Sequence, residues 1–256
     1  MSLLKDLKQA CLEEAFSLVY QPQWAVREQQ WIGAEVLIRW QHPARGLVPP
    51  DEFIPLAENE GLISVITEYV VKQSLYELGE AGIDKLQLST LTINLSHLVL
   101  MDKQTMDNLF AIIESTRFEY PRVVWEITET AAMENIDATL GIMQNSRYQN
   151  MDFSIDDFGT GYSSLSRLKR LPLSELKIDR SFIDDIPHDE NDAVIVKTIL
   201  AMAKTLCLNV VAEGVETKEQ ADFLKNNGCA VIQGYLYARP MAIDDLKQQL
   251  QKRPVE

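Results

Sequence analysis

The sequence predicts an α/β fold, namely a modified (β/α)8 barrel of the TIM type with one antiparallel strand near the N-terminus. Eight short β-rich runs recur along the 256 residues, and helix-like segments separate most of them. A chain of this length suits one such barrel. Because no Pro/Gly/Ser-rich linker or internal repeat divides the sequence, we expect a single domain over residues 1–256, with its core at about 16–250.

The β-rich runs define the predicted strands. They lie at residues 16–21, 34–40, 91–96, 122–128, 152–158, 175–180, 209–215 and 230–235. Residues 22–33, between the first two runs, are too few for a crossover helix. We therefore expect these two runs to form a hairpin, which makes one strand antiparallel to the others.

Helix-like segments fill most of the remaining chain. The first fifteen residues carry charges every few positions, which predicts an amphipathic helix and not a signal peptide. Residues 50–82 place apolar side chains at a spacing near 3.6 and stop at Gly79 to Gly82. Residues 192–206 and 217–228 show the same helical pattern.

Composition limits the partners and the compartment. The formal charge of −14 should repel a nucleic-acid polymer or an anionic membrane, although local cations could still bind a small phosphate ligand. Three cysteines without a CxxC pair indicate a reducing compartment. No apolar run approaches the ~18 residues of a membrane span. We expect a cytoplasmic protein without membrane insertion, unless it is part of a longer membrane-anchored chain.

Polar side chains recur inside or just after successive predicted strands. They are Glu35, Asn94, Glu126, Asp156, Asp157, Lys177, Glu213 and Gln233. In such a barrel, catalytic residues come from several strand ends on one face. A buried, unpaired carboxylate is costly, so this many carboxylates in one barrel mouth require cations. The donors are oxygens without sulfur or imidazole, which predicts Mg²⁺ or Mn²⁺.

Adjacent aspartates in the stretch "SIDDFGTGYSSLSRL" need a separate explanation, because neighbouring residues of a strand face opposite ways. Asp156 can point inward as the last strand residue, while Asp157 lies where the strand turns into a loop. Gly159 and Gly161 permit unusual backbone angles in that turn. Both carboxylates could then serve a metal pair about 3.5–4 Å apart.

Each residue alone has a simpler interpretation. A single glutamate such as Glu35 or Glu126 on a strand is more often partly exposed, Asn94 would be a turn or cap residue, and Lys177 a solvated lysine. These interpretations do not explain why polar residues occupy successive strand ends. The shared position therefore favours a functional site.

Several stretches together resemble one family. They are "YQPQ", "GAEVLIRWQHPARGLVPPDEFIPLAENEGLI", "TINLS", "WEITET", "SIDDFGTGYSSLSRLKRLPLSELKIDRSFI", "VVAEGVET" and "QGYLYARP", spread from about Phe16 to Pro240. In this order they resemble the EAL domains, which are cyclic di-GMP phosphodiesterases. The resemblance implies hydrolysis of cyclic di-GMP to linear pGpG through two bound Mg²⁺ or Mn²⁺ ions. The signature here reads Glu-Val-Leu, with Val36 at the usual alanine, and we expect Val36 to affect packing more than chemistry.

The resemblance also implies roles for individual residues. Metal ligands would be Glu35, Asn94, Glu126, Asp156 and Asp157, with Gln233 holding the ligand shell. Lys177 resembles the lysine that orients the attacking water, and Glu213 the acid that supports it; Glu35 would be essential to turnover as a ligand. Arg39 would contact phosphate, and Gln21, Leu37, Pro55, Asp179 and Tyr235 are further candidates for substrate contacts.

The loop after Asp157 should be anchored, and the resemblance points to Glu129. Its carboxylate could accept hydrogen bonds from loop amides or from Thr160 and Ser163. The alternative is that Glu129 only opens the following helix, where the helix dipole favours an acid. In the family this loop and the next helix lie at a dimer contact, so we expect a homodimer.

Two other functions stay open from the sequence. One is a catalytically inactive receptor that binds cyclic di-GMP and signals to a partner; the intact ligand set argues against it. The other is a metal-dependent barrel that acts on a different phosphodiester. The sequence does not identify the controlling signal, which could come from a regulatory domain or partner outside this chain.

Overall fold

The computed structural model describes residues 2–145, 148, 151–160 and 165–252. In these residues the strands are β1 (Ser17–Ala25), β2 (Gln30–His42), β3 (Gly46–Val48), β4 (Thr90–Asn94), β5 (Arg122–Thr128), β6 (Asp152–Phe158), β7 (Glu175–Ile178), β8 (Asn209–Ala212) and β9 (Val231–Ile232). The helices are α1 (Leu3–Glu13), α2 (Pro50–Asn59), α3 (Ile63–Ala81), α4 (His97–Met101), α5 (Lys103–Ser115), α6 (Glu129–Glu134), α7 (Ile136–Met143), α8 (Leu165–Leu168), α9 (Glu190–Thr205), α10 (Lys218–Asn226) and α11 (Ile243–Leu250).

The strands close into a barrel. The order is β1-β9-β8-β7-β6-β5-β4-β2, and β1 also pairs with β2. From β2 through β4 to β9 the barrel neighbours are parallel, whereas β1 is antiparallel to both β2 and β9. The predicted modified barrel with one antiparallel strand is confirmed. The sequence did not predict β3, which pairs with the outer end of β2 through Trp40 to His42.

The first hairpin is longer than the sequence suggested. The predicted gap at residues 22–33 contracts to the turn at residues 26–29. Trp24 and Trp31 pack edge to face across the ladder, with ring centroids 4.9 Å apart. Cross-strand aromatic pairs stabilise antiparallel ladders, so the pairing extends through residues that carry no long β-rich run.

The helical segment at residues 50–82 divides into α2 and α3. Gly61 has a φ of 69°, a left-handed conformation that glycine adopts without the Cβ penalty, and it ends the first helix. The apolar periodicity continued across this break, so the sequence did not separate the two helices. The segments predicted at residues 192–206 and 217–228 form α9 and α10, and the N-terminal segment forms α1.

Several strands are shorter than their β-rich runs, and this decides where the polar residues lie. Asn94 is the last residue of β4, whereas Glu213 and Gln233 follow directly after β8 and β9. Lys177 lies within β7. Within the described ranges no helix is both long and apolar enough to cross a membrane.

Candidate active site

Lys177 lies at the centre of the polar residues at the carboxyl ends of the strands. Its side chain is 1% exposed, and its Nζ contacts the carboxylates of Glu126 and Glu213. The same nitrogen lies 3.3 Å from Glu35 Oε2 and 3.7 Å from Asp156 Oδ1. Burial alone would lower the pKa of Lys177, but the surrounding carboxylates raise it well above its usual value. The lysine is therefore held as a cation.

Amide side chains fix Glu35. Asn94 Nδ2 donates to Glu35 Oε1 at 2.9 Å, and Gln233 Nε2 donates to Oε2 at 2.6 Å. Gln233 is oriented in turn by Gln23, whose Nε2 donates to Gln233 Oε1 at 2.9 Å. Burial would raise the pKa of Glu35, but the charge of Lys177 and these hydrogen bonds lower it. Gln233 thus orients Glu35 through its amide nitrogen. Asn94 also donates from its nitrogen, which leaves its amide oxygen available for another partner.

Glu126 is the carboxylate that lies deepest among the four around Lys177. It is 1% exposed, and neither of its oxygens meets hydrogen-bond geometry with a described residue, although Oε1 contacts the Lys177 ammonium. Burial, reinforced by the nearby carboxylates, raises its pKa well above the usual value. Buried polar atoms normally have partners. Carboxylate oxygens that lack hydrogen-bond partners are suited to bind a cation.

Three carboxylates meet the distance requirement for one cation. Glu126, Asp156 and Glu213 each present one oxygen, and these oxygens all lie within 4.8 Å of one another. Burial raises the pKa of Glu213 to about 8, although Lys177 opposes the shift. Oxygen-only donors suit Mg²⁺ or Mn²⁺, so the residues present fit such an ion. Glu213, which the sequence placed beside Lys177, thus lies beside both the lysine and the carboxylate group.

The backbone at Asp157 explains how both aspartates face the site. Asp157 has a φ of 53°, and the pairing of β6 with β7 shifts register between Ile155 and Phe158. Asp157 N donates to Asp156 Oδ1 at 2.9 Å. A left-handed residue at the strand end interrupts the alternation of side chains. Burial and the neighbouring acids Asp156 and Asp179 raise the pKa of Asp157 to about 6.

Glu129 contacts the loop after Asp157. It is the first residue of α6 and is 2% exposed, and its Oε2 accepts a hydrogen bond from Gly159 N at 2.9 Å. The Thr160 hydroxyl instead donates to the Asp157 carbonyl at 2.8 Å. Gly161 and Ser163, which the sequence also assigned to this loop, lie outside the described residues. The anchoring role of Glu129 stays a prediction.

A large cleft opens on the carboxylate side of the site. Its volume is about 870 Å³, and its walls include three of the substrate-contact candidates, Leu37, Arg39 and Pro55. Arg39 Nη1 donates to the Ile38 carbonyl at 2.9 Å, and burial lowers the pKa of its guanidinium. Val36, the departure in the signature, is 3% exposed.

A smaller cavity of about 210 Å³ meets the same site from the side of Lys177 and Glu213. The candidates Gln21 and Tyr235 line it. The Arg239 guanidinium lies over the Tyr235 ring, 4.1 Å from its centroid.

Asp179 lies away from both cavities. Its carboxyl helps to raise the pKa of the neighbouring Asp157, and it caps the turn that follows β7 by accepting from Ser181 N at 3.0 Å. The structure therefore brings Asp179 to the aspartate pair and not to the cleft wall.

Two residues near the site were not predicted. Gln23 orients Gln233 and lies two positions after Gln21 on β1, so the two-residue strand period could have identified it. His97 lines the large cleft, and its Nδ1 lies 3.3 Å from Glu134 Oε2. His97 follows the end of β4, and no local pattern distinguishes it from an ordinary helix-start residue.

Comparison with known proteins identifies relatives over nearly the whole chain. The EAL domain family model matches residues 4–240. The chain is 42% identical over 252 residues to the bifunctional diguanylate cyclase/cyclic di-GMP phosphodiesterase MucR of Pseudomonas aeruginosa, covering 96% of this chain and 36% of MucR. It is 40% identical over 253 residues to the cyclic di-GMP phosphodiesterase NbdA of the same organism, covering 98% of this chain and 32% of NbdA. The chain thus spans about a third of the length of these curated relatives.

A solved structure shows the same fold. The PaMucR phosphodiesterase in complex with c-di-GMP aligns with a TM-score of 0.88 at 42% identity, and the alignment covers 96% of this chain and 100% of that one. The barrel is therefore similar to that of a protein solved with c-di-GMP.

Proposed function

The chain belongs to the EAL domain family, and from that membership we propose that it is a phosphodiesterase that hydrolyses cyclic di-GMP to linear pGpG. The observation that carries the proposal is the buried Lys177 cation, which lies among the carboxylates of Glu35, Glu126, Asp156 and Glu213 next to an open cleft. Similarity to MucR and NbdA supports the choice of substrate.

The carboxylates would hold one or two divalent cations. Glu126 and Asp156 carry closely spaced oxygens, and Asp157 extends the cluster towards a second ion. Glu35 and the Asn94 oxygen complete the proposed ligand set. When bound, Mg²⁺ or Mn²⁺ lowers the pKa of a coordinated water and stabilises the charge on phosphate oxygens. Like-charge repulsion among these acids is otherwise offset mainly by Lys177.

Lys177 serves as a hydrogen-bond donor and not as a base. The surrounding carboxylates favour the charged ammonium, which could orient a water molecule through that molecule's lone pair and stabilise developing negative charge. Glu213 holds the ammonium in place by direct contact. Arg39 extends from the cleft wall with its guanidinium and can bind a phosphate oxygen. This local charge offsets the overall charge of −14 for an anionic substrate.

We also propose that the protein forms a homodimer. Apolar side chains are exposed on α8 and α9, where Leu165 is 59% and Val194 61% exposed. The family resemblance places a dimer contact at the loop after Asp157 and the helix that follows it. Sedimentation analysis across a range of concentrations tests this assembly.

Turnover with purified protein tests the proposed reaction. Incubation with cyclic di-GMP and Mg²⁺ should yield linear pGpG, detected by chromatography, while cyclic di-AMP and bis(p-nitrophenyl) phosphate should react more slowly. Binding of cyclic di-GMP without any product would favour the receptor function. Equal turnover of all three compounds would favour a phosphodiesterase with another substrate.

A further inference from the structure

The loop after β8 carries Glu213, and its backbone has an unusual course. Gly214, the next residue, has a φ of 68°. Glu213 N donates to the Ile178 carbonyl at 3.2 Å, and Val215 N donates to the Gln233 carbonyl at 3.2 Å. The backbone therefore joins β7 and β9 on either side of Gly214, and its course decides where the Glu213 carboxylate lies.

Arg180 packs directly on this glycine. A Cβ at Gly214 would lie 2.4 Å from Arg180 Cγ and 2.8 Å from Arg180 Cβ, so the aliphatic part of the arginine occupies the space that a side chain would need. Arg180 follows β7 by two residues. Its stem thus lies against the residue that follows Glu213, whose carboxylate contacts Lys177.

The guanidinium of Arg180 reaches across to the same loop. Its Nη2 lies 3.1 Å from Glu216 Oε1, while its Nε donates to Asp184 Oδ1 at 3.0 Å within its own segment. One arginine therefore joins the turn after β7 to the loop after β8 through its stem and through its charged end. Arg180 also lines the smaller cavity, which Lys177 and Glu213 share.

Gln220 makes a second connection between the two segments. This side chain is buried, with 5% of its surface exposed. Its Oε1 accepts from Glu216 N and Thr217 N at 2.8 and 2.9 Å, and its Nε2 donates to the carbonyls of Ile183 and Asp184 at 3.0 and 3.1 Å. Gln220 fixes the far end of the loop, whereas Arg180 is the side chain that contacts the end near Glu213.

We propose that Arg180 is a positioning residue that holds Glu213 against Lys177 by fixing the loop after β8 through Gly214 and Glu216. The inference rests on the proposed function, because it assigns Arg180 to the geometry of the water-orienting lysine. The guanidinium is engaged by Asp184 and Glu216, so we assign Arg180 to the position of Glu213 and not to a substrate contact.

A purely structural role for Arg180 predicts a different outcome. Its ion pairs are largely exposed, with side chains 53% exposed at Arg180 and 40% at Glu216, and exposed pairs contribute little to stability. Loss of these Arg180 ion pairs should therefore act mainly on the alignment of Glu213 and little on the free energy of unfolding. Alignment errors near the reacting atoms lower kcat, whereas uniform loss of binding raises KM.

Two variants provide a matched comparison. Glu216→Gln removes the carboxylate that joins Arg180 to the loop after β8, and Asp184→Asn removes the carboxylate that lies on its own segment. We expect Glu216→Gln and Arg180→Met to lower kcat about tenfold. KM should stay within about twofold, and Asp184→Asn should leave both constants nearly unchanged. Thermal unfolding should separate all of these variants from wild type by only a few degrees.

A double variant tests whether Arg180 acts through Glu213. In a Glu213→Gln background, Arg180→Met should produce no further loss of kcat, because the residue to be positioned is already altered. A second full loss would overturn the inference. The inference would also be overturned if Glu216→Gln had the same kcat as Asp184→Asn.

Hydrogen exchange tests the same contact without turnover. The peptide that contains residues 213–217 should exchange faster in Glu216→Gln than in wild type or Asp184→Asn. If the wild-type protein does not hydrolyse cyclic di-GMP, the proposed function fails, and the exchange comparison alone decides whether Arg180 fixes the loop. Unchanged exchange would overturn the inference in either case.

Discussion

At the scale of single residues, the site depends on one buried cation among buried acids. Removing water from Lys177 is unfavourable, and the carboxylates offset that desolvation penalty only because several of them lie close to its ammonium. The sequence identified Lys177 and its neighbours because each lies inside or just after a β-rich run. It could not show that Gln233 would contact Glu35 through its nitrogen, since the orientation of this amide depends on Gln23 of the adjacent strand β1.

Substitution of Lys177 should separate chemistry from binding. Lys177→Met keeps the aliphatic volume but removes the charge, so kcat should fall by about 10²–10⁴-fold. Affinity for cyclic di-GMP should change less, because Lys177 is not among the residues that line the large cleft beside Arg39 and Pro55. Calorimetry would measure affinity and steady-state kinetics would measure kcat. A near-normal kcat would exclude the proposed role.

Arg39 should affect binding more than chemistry. Its guanidinium lines the cleft, and a charge-assisted bond to phosphate contributes about 1.5–3 kcal/mol, so Arg39→Ala should weaken binding about 10–100-fold. Arg117→Ala is the control, because Arg117 is exposed on the segment before β5, away from the strand ends. Equal effects of both substitutions would indicate a general charge effect instead of a phosphate contact.

At the scale of elements, the end of β6 was partly predictable. The adjacent acids and following glycines predicted a turn, and Asp157 has the left-handed backbone that such a turn requires. The break between α2 and α3 was not predictable from apolar spacing, because the spacing continues across Gly61. Strand β3 has only three residues and forms a short hairpin with the end of β2, which is too short for a β-rich run to predict it.

Substitution of Glu129 tests whether α6 supports the loop after Asp157. Glu129→Ala removes the acceptor of the Gly159 amide, so the loop after Asp157 should become less ordered. With a loss of about 1.5–3 kcal/mol for a charge-assisted bond, the Mg²⁺ concentration for half-maximal activity should rise several-fold and kcat should fall. Magnesium titrations of activity would measure both effects.

The matched variant for this prediction is Glu129→Gln. It keeps the shape and one acceptor oxygen, so its effect should be milder than that of alanine. If alanine at this position changes neither the Mg²⁺ dependence nor kcat, Glu129 only opens α6, where an acid near the helix N-terminus is favoured by the dipole.

At the scale of the whole molecule, the alternation of strands and helices predicted the barrel, and the barrel predicted where the site lies. Parallel strands direct their carboxyl ends to one face, so the strand order alone brings together residues as distant in sequence as Glu35 and Glu213. What the sequence could not supply was the depth of burial. Glu126 is almost fully enclosed, and its oxygens have no hydrogen-bond partner among the described residues, which is why they fit a bound cation.

Divalent cations should therefore stabilise the folded protein as well as support its activity. An ion that binds only the folded state at 100 times its Kd adds about 2.7 kcal/mol of stability. For a domain near this size, that corresponds to a rise in Tm of roughly 5–10 °C. Mg²⁺ should raise Tm and turnover over the same concentration range, and EDTA should reverse both.

Ca²⁺ prefers longer and more numerous ligand bonds, so it should raise Tm without supporting hydrolysis. Glu126→Gln should abolish both Mg²⁺ effects, whereas the exposed Glu119→Gln should preserve them. Full turnover in excess EDTA, together with a Tm that does not respond to Mg²⁺, would contradict a metal site at these carboxylates and leave the Lys177 ammonium as the cation in contact with them.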